Sequence, residues 1–198
     1  MSAGTGGVPP PGPPPPLLNI ANVLTGVRLL LVPVLLVALF ADAGHSTGWR
    51  YVATGVFVVA AITDRFDGEL ARSRGLVTAF GTLADPIADK ALTGAALFGL
   101  ATLSLLPWWV TIVIMGRELV ITLLRFLVLR HGVIAASRGG KAKTLMQMIA
   151  IGLYLLPLDG LSAVDGLRWA VMAVAIGLTV VTGLDYLLKA LRPRSRTV

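Results

Sequence analysis

Asp64, Asp67, Asp85 and Asp89 fall within 26 residues and are four of the ten acidic residues of the chain. At helical spacing the first two stand three apart and the last two four apart, so each pair projects from one face of a helix. If the two helices are neighbours joined by the loop through Gly75, the four carboxylates converge. Converging acids repel strongly in a low-dielectric setting, and one or two hard divalent cations held through oxygen make them compatible. There is no cysteine, so disulfides, thiolate zinc sites and thiol nucleophiles are excluded, and a metal binds through oxygen or not at all. Between the acids, Gly68 and Ala71 leave room for a flat ring or sugar to approach the backbone, and Gly81 gives similar freedom before Asp85. Arg72 can meet a phosphate. Pro86 suits the first turn of a helix, which makes Asp85 a candidate N-cap. Taken singly, these features are a solvated helix end, a packing glycine and a basic anchor. Eight fixed identities over 26 positions are harder to explain that way.

The elements that must position these residues are read from composition and hydropathy. The chain has 198 residues, of which 56% are apolar and 14% charged, and its mean hydropathy is +0.83. That is too apolar for a soluble domain. Its apolar runs approach the roughly 20 residues that cross a bilayer as helix, and none alternates as a membrane β-strand does. The predicted fold is an all-α integral membrane bundle of six transmembrane helices, near 23–41, 50–66, 84–104, 108–130, 144–158 and 167–189. Leu17 to Val23 mixes apolar residues with Asn19 and Asn22, as a short interfacial helix would. Residues 1–16 are a Gly/Pro-rich tail expected to be disordered, 17–190 form one membrane domain, and 191–198 are a basic cytoplasmic tail. No internal repeat of the inverted-transporter kind is evident.

Charge sets the orientation. Arg72, Arg74, Arg130, Arg138, Lys141, Lys143, Lys189, Arg192, Arg194 and Arg196 fall on one set of loops, against Arg50 and Arg168 on the other. The first set is therefore expected in the cytoplasm, with both termini and the aspartates. The formal net charge of +7 is carried largely beside the spans, where it meets anionic lipid rather than nucleic acid. Trp49, Trp108, Trp109 and Trp169 occur at span ends, as interfacial residues do. His45 and His131 lack partners at ligand spacing.

The pattern Asp-x2-Asp-Gly-x2-Ala-Arg-x8-Gly-x3-Asp-x3-Asp resembles the signature of the CDP-alcohol phosphotransferases, and every fixed position is matched, from Asp64 to Asp89. The resemblance implies a six-helix membrane fold, usually dimeric, with a cytosol-facing cavity in which a group passes from a CDP-linked donor to an alcohol and CMP is released. It implies that the four aspartates hold two divalent ions, commonly Mg²⁺ with Mn²⁺ as an alternative, and that Asp89 is also the general base. Gly68, Ala71, Arg72 and Gly81 would line the CMP site.

Residues outside the motif are most similar to the bacterial branch in which CDP-diacylglycerol phosphatidylates glycerol 3-phosphate, at the inner (plasma) membrane and among its lipids. They are Asn19, Asn22, Thr25 and Arg28, with Ala21 where that branch usually has proline, Gly116-Arg117-Glu118 with Arg125, and Gly140 to Thr144 with Gln147-Met148. Asn19, Thr25 and Arg28 can touch the donor, or else cap a helix and reach headgroups. Arg117 and Arg125, with Lys141 and Lys143, can neutralise the acceptor phosphate. The plainer account of the fourth span is a buried ion pair between Glu118 and Arg125, seven residues apart and nearly on one face. Other acceptors, phosphatidylglycerol or an inositol phosphate, use the same chemistry. A divalent-cation transporter is the competitor from another class, and it predicts acids distributed through the membrane depth.

Overall fold

The computed structural model describes residues 19–73, 78–129, 138–160 and 162–191; within these helices the side chains of 21, 65–73, 79–83, 125–129, 138–141 and 189–191 lie outside the description. The described residues form six α-helices: α1 (Ile20–Phe40), α2 (Thr47–Ser73), α3 (Ala79–Thr102), α4 (Trp108–Leu129), α5 (Arg138–Leu155) and α6 (Ser162–Leu191). A single 3₁₀ turn, Ala41–Gly44, follows α1. Asp42 and Ala43 take φ of +52° there and Gly44 takes +79°. The left-handed backbone of Gly44 favours glycine, and a Cβ there would also sit 2.7 Å from Leu103 Cδ1, so that the leucine would have to shift.

The order of packing explains how distant residues meet. α1 lies between α2 and α3, α5 pairs with α6, and α4 bridges α3 and α6. The core runs through Leu35, Leu39, Phe57, Leu92, Leu97, Leu100, Ile114, Ile151, Leu155 and Met172, all essentially inaccessible. Ala38, Ala53, Ala60 and Ala96 intervene between them and let helix axes approach closely. The outside is as apolar as the inside. Leu30 is 70% exposed, Val37 69% and Ile112 65%, a surface that water would not tolerate and lipid would.

Among the described residues, Asn22–Gly44 and Ser162–Leu188 are long and apolar enough to cross a membrane by length and composition. The other helices carry the charges that make the site, such as Asp64, Asp89 and Glu118, and these lower their hydropathy. Helices overrun the expected spans at several ends. The first turn of α1 begins at Ile20, capped by the Asn19 side chain accepting from the Asn22 amide at 2.9 Å. The stretch expected as a separate interfacial helix therefore joins α1 from residue 20 onward, while Leu17 and Leu18 lie outside the described residues, as do 1–16 and 192–198.

Candidate active site

Three elements meet at the end of the bundle where α1 starts and α2 finishes. Thr25 and Arg28 stand three apart on α1 and share a face. Both are buried, Arg28 completely. Arg28 Nη1 lies 2.7 Å from Asp64 Oδ1 of α2, and Thr25 Oγ1 donates to Asp85 Oδ1 of α3 at 2.5 Å. Just outside, Thr78 Oγ1 donates to Asn22 Oδ1 at 3.0 Å and pins the start of α3 to α1. α1 thus holds one carboxylate on each side. Asp64 feels the charge of Asp85, and Asp89 feels that of Asp64, so the three described acids form one electrostatic group.

This arrangement corrects parts of the sequence expectation. Arg28 does not reach out to headgroups; it is enclosed and ion-paired. Asn19 is the helix cap of α1. Asp85 is not an N-cap, because α3 already begins at Ala79 and Pro86 lies inside it. The start of α3 is set earlier, beside Thr78, and the missing Pro86 N–H leaves the carbonyl one turn back without its helical donor. Asp67, Gly68, Ala71 and Arg72 have their backbones in α2, and Gly81 has its backbone in α3; their side-chain positions lie outside the described residues. Among the described residues, no group of three or more metal-ligating side chains gathers tightly enough to hold an ion. The donor set still fits a hard divalent cation. It is all carboxylate oxygen, carried on two adjacent helices, with the Arg28 guanidinium ion-paired to Asp64.

A narrow polar cleft opens beside the acids. Asp89, Lys90 and Thr93 of α3 line it with Met115 and Glu118 of α4, and Lys143, Thr144, Gln147 and Met148 of α5. Glu118 is its central ion. It accepts from Arg117 Nη1 at 2.9 Å and also pairs with Lys143. Tertiary packing brings α5 to α4 and gives Glu118 a partner that spacing along one helix does not show; the Arg125 and Lys141 side chains, and with them the expected Glu118–Arg125 pairing, lie outside the described residues. Arg117 also donates to Thr182 Oγ1 of α6 at 2.9 Å. Gly183 makes room for it, since a Cβ there would lie 3.1 Å from Arg117 Cγ. Arg117 and Lys143 outnumber Glu118 in this ion cluster, and the cleft beside it is lined by Lys90 and Lys143 against Asp89 and Glu118. Glu118 and Gln147 are parts of the site that spacing alone did not assign.

The opposite end is built differently. Arg50 of α2 and Arg168 of α6 are each 4% exposed. Both reach Asp159 in the α5–α6 turn, Arg168 Nη1 at 2.9 Å from Oδ1. Arg50 Nη2 donates to the carbonyls of Tyr154 and Leu156, each at 3.1 Å. Arg168 Nε donates to the Leu153 carbonyl at 2.9 Å, and its Nη2 to that of Leu156. Two guanidinium groups therefore satisfy the free carbonyls at the C-terminus of α5 and oppose its dipole. Arg168 also lies over the Tyr154 ring, 5.9 Å from its centre.

Comparison with known proteins agrees with the motif. The profile of the CDP-alcohol phosphatidyltransferase family matches residues 18–181. A probable phosphatidylglycerophosphate synthase of Mycobacterium tuberculosis is 56% identical over 176 residues, covering 89% of this chain and 83% of its own. The CDP-diacylglycerol–glycerol-3-phosphate 3-phosphatidyltransferase of Bacillus subtilis is 37% identical, covering 87% and 95%. The apo crystal structure of Mycobacterium tuberculosis phosphatidylinositol phosphate synthase superposes with a TM-score of 0.59 at 20% identity, over 89% of this chain and 95% of that one, a likeness of fold. With three helices converging on the signature aspartates and the profile spanning most of its length, this chain belongs to the CDP-alcohol phosphatidyltransferase family.

Proposed function

We propose that this protein transfers the phosphatidyl group of CDP-diacylglycerol to sn-glycerol 3-phosphate, giving phosphatidylglycerophosphate and CMP. The observation that carries the reading is likeness along nearly the whole chain to bacterial enzymes named for that reaction, joined to a polar cleft beside the signature acids that Lys90 and Lys143 line with Asp89 and Glu118. Arg117 and Lys143 share the single carboxylate of Glu118, so their cluster carries a surplus positive charge that suits an anionic acceptor better than an uncharged one. In this reading residues 17–190 are the catalytic membrane domain, preceded by the 1–16 tail and followed by the basic 191–198 tail. Six helices cross the bacterial inner membrane, the acids and both termini are cytoplasmic, and the working unit is a homodimer.

The residues divide the task. Asp64, Asp67, Asp85 and Asp89 would hold two divalent ions, Mg²⁺ or Mn²⁺, whose charge offsets that of the diphosphate when they are bound. Thr25 and Arg28 fix Asp85 and Asp64, while Gly68, Ala71, Arg72 and Gly81 border the cytidine monophosphate. Arg117, Arg125, Lys141 and Lys143 receive the acceptor phosphate. Asp89 lines the cleft and takes the proton of the primary hydroxyl as its oxygen attacks the phosphorus bearing the diacylglycerol. That forms one P–O bond. The P–O bond to the CMP phosphate breaks, and CMP leaves with the electron pair.

The test is acceptor competition. Purified protein given labelled CDP-diacylglycerol is offered glycerol 3-phosphate, phosphatidylglycerol and an inositol phosphate in turn. Labelled phosphatidylglycerophosphate with stoichiometric CMP is expected from the first alone, and product from another alcohol with none from glycerol 3-phosphate would overturn the assignment. Ion transport predicts acids spread through the membrane depth, whereas Asp64, Asp85 and Asp89 cluster near one end.

A further inference from the structure

Lys143 and Gln147 stand four apart on α5, one turn, and share a face. Both line the cleft with Asp89 and Glu118. Gln147 is 5% exposed, and its Oε1 has no hydrogen-bond partner among the described residues. A buried amide oxygen left unpaired loses the hydration it had in the unfolded chain and gains nothing in return, so it calls for a donor, from water or from a bound ligand. Lys143, the nearest charged donor along α5, is engaged by Glu118.

Glycerol 3-phosphate presents three groups to its site. Its phosphate suits the cations, and its primary hydroxyl suits Asp89. The middle hydroxyl remains, a neutral donor that needs a neutral acceptor, because another carboxylate there would repel the phosphate dianion. We propose that Gln147 Oε1 accepts a hydrogen bond from this middle hydroxyl and so makes Gln147 a specificity-determining residue for the acceptor alcohol. The inference rests on the reaction proposed above. It gives a role to a residue outside both the signature acids and the phosphate-binding cations. A site built to bond a hydroxyl rejects the analogue lacking it, since the analogue leaves the buried oxygen unpaired.

The experiment compares glycerol 3-phosphate with 3-hydroxypropyl phosphate, which differs only by the missing middle hydroxyl. Wild-type protein is expected to favour glycerol 3-phosphate in kcat/KM by about 10-fold or more. Gln147→Met, similar in volume and lacking the amide oxygen, is expected to reduce that preference to about twofold or less while leaving KM for CDP-diacylglycerol unchanged. A preference that survives in Gln147→Met overturns the inference, and so does wild-type protein that uses both phosphates equally well. If Gln147→Met does not fold, Gln147→Leu provides the same comparison, and a wild-type ratio near one overturns the inference without any variant. Wild-type protein that uses neither phosphate but another alcohol overturns the proposed reaction itself, an outcome distinct from loss of the preference alone.

Discussion

The two ends of the bundle hold similar charges and use them in opposite ways. At the Arg50 end, two buried guanidiniums share Asp159 and are further occupied by backbone carbonyls at the close of α5. At the other end, the three carboxylates of Asp64, Asp85 and Asp89 are set against the charges of Arg28 and Lys90, and the adjoining cleft is lined by a buried amide oxygen that has no partner among the described residues. Roughly 21 Å of helix rise separates Arg50 from Asp64 along α2. Compensated charge fixes helices in place; under-compensated charge is stabilised only when something binds. Trp49, Trp108, Trp109 and Trp169 all lie at the closed end, each at or near the start of α2, α4 or α6.

Substitutions can break or sharpen that contrast. The largest effect is expected from Asp89→Asn, which should lower kcat roughly 1,000-fold while CDP-diacylglycerol still binds. Near-normal turnover would remove Asp89 as the base. Lys143→Met should raise KM for glycerol 3-phosphate about 10- to 100-fold, with the lipid donor unaffected. An equal rise for both substrates would mean that Lys143 serves packing. At the closed end, Arg168→Met should lower the melting temperature in detergent by on the order of 5 °C and leave the activity of the folded fraction unchanged. Loss of activity without loss of stability there would erase the distinction between the ends. Thr25→Val removes the hydrogen bond to Asp85 and keeps the shape, so kcat/KM should fall only about fivefold.

The smallest effect is one of pH. Partial burial alone would raise the Asp159 carboxyl, but hydrogen bonds and charge from Arg50 and Arg168 outweigh it and hold it below its ordinary range. A carboxyl depressed by folding contributes stability that is present above its unfolded value, about 3.9, and is lost as pH falls through the folded value. Thermal melts taken from about pH 5 downward should therefore show an acid-side loss that is shallower in Asp159→Asn. A wild-type acid limb identical to that of the variant would contradict the pairing.

Much of this is legible in the amino-acid sequence. Apolar runs locate six helices, and the spacing of Asp64, Asp85 and Asp89 announces an oxygen-rich site. Likeness to a branch motif makes Arg28 and Thr25 candidate donor contacts, yet what they touch here are carboxylates 36 and 60 residues away along the chain. Local spacing reports faces of one helix; it cannot report which face a neighbouring helix covers. The same limit explains Glu118, whose seven-residue relation to Arg125 is visible in the chain while its partner Lys143 comes from α5. Arg50 and Arg168 stand out only as sparse charges on one side, since nothing in either segment points to Asp159. Asp85 is not a cap because Pro86 is accommodated within α3 rather than at its first turn.

The most direct measurement is Mn²⁺ binding to the purified protein, followed by electron paramagnetic resonance, in wild type and in three single variants. Wild type is expected to bind Mn²⁺, Asp85→Asn and Asp89→Asn each to weaken binding at least about 10-fold, and Asp159→Asn to bind as wild type does. Binding that ignores Asp85 and Asp89, or that disappears with Asp159, would contradict a metal centre built on the signature acids.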